Sequence, residues 1–165
     1  MLLSEKKIFL RPVLPSDADI LYTWENDKAN WGVSGTKKPF TKREIEYFIS
    51  NQKDVYLDKQ LRLIICLLSP SGNKSGIGCI DLFNFDEFHL KAGIGILIDQ
   101  KHRKNGYASE ALTLLIRYGF EILDLRKLFC HISEENEASL KLFKKNKFKI
   151  IGKKKGICSL QLLNK

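Results

Sequence analysis

Arg103-Lys-Asn-Gly106-Tyr-Ala108 joins two full positive charges to a glycine and small or polar neighbours. The run before it, Ala92 to Ile98, is short, apolar and rich in isoleucine, which suits a buried strand. After it, Ala108, Ala111, Leu112, Leu115, Gly119 and Ile122 recur at helical spacing on one face. A strand that turns into a helix at this point aims unpaired backbone N–H groups and the positive helix end at one place. Such a place seats a phosphate. Arg103 and Lys104 add full charge. Gly106 has no side chain to keep the backbone from a ligand, and Ala108 has little.

Other residue types that carry chemistry are scattered. Cys66, Cys79, Cys130 and Cys158 show no metal-ligand or redox-motif spacing and read as small reduced core residues. His89, His102 and His131 form no close cluster, so no metal is expected. Asn136 stands just before an apolar period, where an asparagine caps a helix.

The elements that must position these groups follow from local pattern. Ile8 to Val13 reads as a first strand, with Pro12 marking an edge or an end. Ser16 to Asp19 resembles a capping box that opens a helix through about Glu25. Trp24 to Phe40 is loop-like. Thr41 and Glu44 form a second capping box for a helix toward Ser50. Leu61 to Leu68 and Gly76 to Phe83 are strands joined by a turn at Ser69–Asn73, hence a hairpin. Asn84 to Leu90 leads into the strand before the basic turn. Beyond the long helix come a strand at Lys127–Ile132, a helix at Glu134–Lys145 that is acidic at its start and basic at its end, a strand at Phe148–Lys153, and a last strand at Ile157–Leu163. Strands and helices in this order make an α/β domain with one central mixed sheet, and 165 residues without a linker suggest one domain over 1–165.

The formal charge is +9, and eight lysines without an acid lie between Lys141 and Lys155. Two readings stand: a solvated face, or a rim for an anionic partner such as a polyphosphate cofactor. No recognition helix or aromatic stacking surface is evident, so a nucleic-acid partner is not expected. No apolar run is long enough to cross a bilayer, and the N-terminus lacks the order of a signal peptide. A cytoplasmic protein, free of membrane and either monomeric or a homodimer, is expected.

The stretch from Arg103 to Ala108 is similar to the acetyl-CoA signature of the GNAT superfamily of N-acetyltransferases, Arg/Gln-x-x-Gly-x-Gly/Ala. A strand ends just before it at Ile98-Asp99, and Ser109-Glu-Ala111 continues it as in that family. Asn136-Glu-Ala-Ser139-Leu-Lys-Leu-Phe143-Lys-Lys-Asn-Lys-Phe148 resembles the family's second cofactor helix. Arg11 and Trp24-Glu-Asn-Asp27 resemble the branch holding ribosomal-protein N-terminal and polyamine acetyltransferases. The resemblance implies a GNAT-like fold whose sheet is splayed between two strands, with helices on both faces. It implies that acetyl-CoA enters the gap between the strands at Ala92–Ile98 and Lys127–Ile132. The pantetheine arm would follow Ile96, Leu97 and Ile98. The diphosphate would sit on the N–H groups of Arg103, Lys104, Asn105, Gly106, Tyr107 and Ala108, beside Ser109. Asn136, Ser139, Phe143 and Lys144 would lie along the cofactor, and Tyr107 would pack or cover it.

The implied reaction is direct transfer to an amine, with the Leu97 N–H stabilising the oxyanion. Two family positions depart here. Phe143 occupies the place of a proton-donating tyrosine, and Gly93 the place of a carboxylate. A positioned acid or base contributes roughly 10²–10⁴-fold, while proximity contributes about 7–11 kcal/mol. A thiolate with a pKa of about 8.5 also leaves without help. A working enzyme is therefore expected. Glu25, Asp81, Asp86, Glu87 and His89 are the candidates for replacing the lost proton chemistry; Glu25 and His89 are taken as the catalytic pair. The same departures suit an alternative, a non-catalytic acyl-CoA-binding module. Trp24, Trp31, Ser34 and Phe40 flank the acceptor side, where the tryptophans either close the core or line the pocket. Acidic walls from Glu25, Asp27, Asp86 and Glu87 would suit a polyamine.

Overall fold

The computed structural model describes residues 3–4, 6–27, 38–69 and 75–165. Trp31, Ser34 and most of the turn at 69–73 lie outside them. Eight strands form one sheet in the order β1-β2-β3-β4-β5-β6-β8-β7. They are β1 (Leu3–Ser4), β2 (Ile8–Pro12), β3 (Leu61–Leu67), β4 (Gly76–Asp86), β5 (Lys91–Ile98), β6 (Lys127–Ser133), β7 (Lys149–Lys154) and β8 (Ile157–Leu163). The helices are α1 (Ala18–Asn26), α2 (Lys42–Ser50), α3 (Val55–Asp58), α4 (Tyr107–Arg117, continued by a π turn at Tyr118–Ile122) and α5 (Glu137–Lys145). The fold is that of the expected α/β class. All neighbours pair antiparallel except β5 and β6, which run parallel.

Each sheet face buries its own apolar layer. Ile8, Leu10, Leu63, Ile65, Ile80, Leu82 and Ile94 pack with Ala111, Leu112 and Leu115 of α4. On the other face Ile64, Cys66 and Cys79 pack with Leu21 and Trp24 of α1 and Ile45 and Ile49 of α2. Period-2 alternation along β3 and β4 sends successive side chains to these two layers. Trp24 is therefore a core residue. All four cysteines are free and buried, as expected.

Several boundaries differ from expectation for local reasons. Ser16 does not cap α1. Pro15–Asp17 form a 3-10 turn instead, because Asp17 turns inward. Its carboxylate accepts two hydrogen bonds from Arg11 at 2.8 Å and one from the Leu14 N–H at 2.7 Å. The box at α2 does form: the Thr41 hydroxyl accepts from the Glu44 N–H at 3.1 Å. α5 begins three residues late, at Glu137. Glu134 is engaged elsewhere, its N–H on Gly156 O and its carboxylate on Lys153. β4 runs on to Asp86, which shortens the connection to β5. β1 and α3 are additional; two and four residues are too short to show a period.

Candidate active site

β5 and β6 pair only at Lys91–Lys127, Ala92–Leu128 and Gly93–Phe129. Beyond Gly93 they part, although β5 stays paired with β4 as far as Gly78–Ile98. Every second residue of β5 therefore turns its N–H and C=O toward an open gap. A cavity of about 1040 Å³ fills that gap. Its walls are Ile94 to Leu97 on one side, Cys130 to Ser133 on the other, and Asn136, Ser139 and Phe143 of α5 behind. In front stand Glu25 of α1, Phe40, and Tyr47 and Phe48 of α2.

β5 leads out of the gap into the basic turn. Gly106 is the residue before α4 and has φ +81°, a region that disfavours any side chain. Lys104 is also left-handed, at φ 64°. The Asn105 side chain ties the turn by donating to His102 O and Arg103 O at 3.2 and 3.0 Å. Arg103 folds back, its Nε donating to Ile98 O at 3.0 Å. None of the N–H groups from Lys104 to Ser109 donates to a backbone carbonyl among the described residues. A Cβ built on Gly106 would meet nothing within 4 Å. Free amides, an open approach and a helix N-terminus thus coincide, as the sequence implies. Tyr107 and Ala108 pack against the core. The Ser109 hydroxyl faces Asn146 of the turn after α5 at 3.4 Å. Ile98, Lys144 and the turn itself are not part of the cavity wall; the turn continues its line beyond the end of β5.

On α5, Asn136 does two things. Its Oδ1 accepts from the Ser139 N–H at 3.1 Å, the helix cap, and the residue also lines the gap. Phe143 is 3% exposed and stands edge-on to Phe148 at 5.0 Å. It offers a wall and no proton.

The acceptor side is built around a residue that sequence reading passes over. Arg62 of β3 grips both oxygens of Asp81 on β4 at 2.9 Å and reaches Glu25 at 2.8 Å, with Phe48 stacked 5.6 Å from its guanidinium carbon. Burial works against its charge, but Asp81 and Glu25 outweigh it and hold the guanidinium charged well above its ordinary range. Asp81 faces Gly95, where a Cβ would meet only the Phe83 ring, at 3.9 Å. Continuing the register from Gly93–Phe129 sets His131 level with Gly95 on the far side. His131 lines the cavity with Nδ1 3.1 Å from Ser159 Oγ. Gly93 is explained by volume. A Cβ there would stand 2.4 Å from the Phe83 ring, so Phe83 fills the room in which a carboxylate on β5 would project.

His89 lies apart from this cavity. It sits at the β4–β5 turn with its ring 76% exposed, bonded to Asp86 at 2.7 Å, and contributes nothing to the cavity wall. Two consecutive N–H groups, Phe88 and His89, also donate to Asp86. That local turn spends both side chains. Glu87 is likewise taken up by Lys59 at 3.1 Å. Of the five candidates for proton chemistry, only Glu25 and Asp81 reach the cavity. Cys79 and Cys130 also line it, and burial pushes both thiols up to about 12. Neither forms a thiolate near neutral pH.

Known proteins share this architecture. Residues 7–149 match the model of the acetyltransferase (GNAT) domain. Spermidine N(1)-acetyltransferase of Escherichia coli (strain K12) is 31% identical over 81 residues, 49% of this chain and 42% of that protein. The chain thus matches less than half the length of that relative. The uncharacterized N-acetyltransferase YoaA of Bacillus subtilis (strain 168) is 28% identical over 151 residues, 89% of this chain and 82% of its own. Among solved structures, spermidine N-acetyltransferase from Vibrio cholerae in complex with CoA and spermine superposes with a TM-score of 0.83 at 19% identity, covering 94% of this chain and 95% of that one. The last figure speaks for the fold. The family match extends over most of the chain and takes in both the splayed strands and the turn at Gly106, so the chain belongs to the GNAT acetyltransferase family.

Proposed function

We propose that this chain is an acetyl-CoA-dependent N-acetyltransferase that moves the acetyl group directly to a primary amine, of a small molecule or a protein N-terminus. The observation that carries the reading is the alignment of a three-rung parallel seam, an open gap and a row of free amides around Gly106. Acetyl-CoA, when bound, supplies the activated acyl group. The amides of Lys104 to Ser109 hold the diphosphate. The unpaired edge of β5 at Ile96 and Ile98 holds the pantetheine amides, with Leu97 between them in the ladder to β4, Asn136 and Ser139 opposite and Lys144 further along. Asp99 N–H donates to Ile77 O, so by alternation the Leu97 N–H faces Cys79 on β4 and the Ile96 N–H faces the gap, where it stabilises the developing oxyanion. Glu25 takes the proton that the ammonium must lose before it attacks. Because Cys79 and Cys130 remain protonated, no acyl-cysteine intermediate forms, and the amine attacks the thioester itself. Phe143 leaves the departing thiolate to collect its proton from water.

Calorimetry with CoA, followed by thiol release from acetyl-CoA with a panel of primary amines, tests this. Binding with turnover is expected, and no acetyl adduct on the protein by mass spectrometry. Absence of CoA binding overturns the proposal. Binding without turnover on any amine would favour the non-catalytic module, the reading that Phe143 and the filled space above Gly93 support.

A further inference from the structure

The charges that face the acceptor end of the cavity are few and mostly spoken for. Glu44 is engaged with Thr41 in the α2 cap and has Arg43 beside it. Asp86 and Glu87 are held at the distant hairpin turn. What remains is Arg62 with Asp81 and Glu25, whose side chains are 23%, 25% and 11% exposed. Two carboxylates against one guanidinium leave a single net negative charge. It lies among the rings of Phe40, Phe48 and Phe83.

We infer that Arg62 is a specificity-determining positioning residue: by neutralising one of the two carboxylates it sets the acceptor seat for an amine carrying a single ammonium with an apolar neighbour, and against polyamines. The inference rests on the proposed acetyl transfer and narrows its substrate. One ammonium between Asp81 and Glu25 is matched in charge within a low-dielectric pocket, where an unmatched charge is costly. Each further ammonium of a polyamine would find, among the described residues, only Glu44 of the α2 cap, with Arg43 beside it in the wall. Arg62 also fixes geometry. Its planar fork holds Asp81 through both oxygens, which a lysine cannot do. Beyond the trio, the cavity wall among the described residues carries one more carboxylate, Glu44, in the α2 cap.

The test measures amine affinity in CoA-saturated protein, a readout separate from turnover. Phenethylamine and an alanyl-phenylalanine amide serve as single-ammonium probes, and spermidine as the polyamine. Wild type should prefer the single-ammonium probes. Arg62→Met and Arg62→Gln double the net negative charge and should shift the preference toward spermidine by about tenfold, or about 1.4 kcal/mol. Arg62→Lys should restore the preference but not the full affinity. Asp81→Asn, which leaves the trio neutral, should weaken the single-ammonium probes by about tenfold without altering CoA binding. A wild type that prefers spermidine, or a preference unmoved in folded Arg62→Met and Arg62→Gln, overturns the inference. Failure of CoA to bind tells instead against the proposed function, and the same amine titrations on the free chain still decide the charge argument.

Discussion

At the scale of single residues, the floor of the cavity shows why a glycine can be read correctly as a departure and still not be understood. From the sequence Gly93 is a lost carboxylate. In the structure it is the space into which Phe83 leans, and Phe83 in turn meets Phe129 edge-on at 5.8 Å. Restoring the carboxylate should therefore fail. Gly93→Glu is expected to lower stability by about 1–3 kcal/mol through overpacking and to leave turnover no higher than wild type; thermal melts and thiol release check both halves. Arg62 went unseen because β3 reads as an apolar run with one charge in it. Its partners lie 19 and 37 residues away. No local spacing announces such a trio. His89 lies on a segment that could face the acceptor side, yet its bond to Asp86 is a turn interaction three residues long.

Elements fared better where the signal was local. The basic turn, the helix after it and the cap at Asn136 are written in consecutive residues, and all three appear where the pattern places them. Gly106 is the element's pivot. A Cβ at Gly106 would meet no neighbour within 4 Å, so the cost of Gly106→Val is counted as conformational, about 1–2 kcal/mol for holding a side chain in the left-handed region. If the backbone relaxes to escape that strain, the amides lose their common aim. CoA affinity is expected to fall by about tenfold, equal to about 1.4 kcal/mol, while the amine preference stays as in wild type; calorimetry reads the first and competition assays the second. The start of α1 departs from the local capping pattern because Asp17 bonds to a strand residue six positions back.

For the molecule as a whole, the layer of α1 and α2 is tied to the sheet through that same pair. Arg11 and Asp17 are nearly buried, with side chains 7% and 6% exposed. Breaking one partner of such a pair costs about 3–5 kcal/mol, and Asp17→Asn should lower the melting temperature at neutral pH accordingly. The pH dependence has a definite sign. Burial alone would raise the Asp17 pKa, but the bonds from Arg11 and Leu14 outweigh it and the value is lowered. A lowered carboxylate contributes fully above its unfolded value, about 3.9, and the contribution fades as pH falls from there through the folded value. The gap in melting temperature between wild type and Asp17→Asn should accordingly be constant near neutrality and narrow below about pH 4; a gap that widens in acid would contradict the assignment. The global arrangement, a splayed sheet with helices on both faces, came from the resemblance to a family. Local patterns alone yield the elements and one pairing, the hairpin of β3 with β4; the other pairings depend on residues far apart in sequence.

The lysine run has its own consequence. β7 ends the sheet, and all six of its residues are exposed, Ile150 and Ile151 among them. An open strand with apolar side chains is a template for a stranger's backbone. Lys149 and Lys154 line that border, with Lys153 held to Glu134, and make the approach of an identical, equally basic border unfavourable. The guard is electrostatic, so it weakens as the screening length shrinks from about 10 Å at 0.1 M salt to about 3 Å at 1 M. Self-association through this border is a hazard of concentrated brine rather than of dilute buffer.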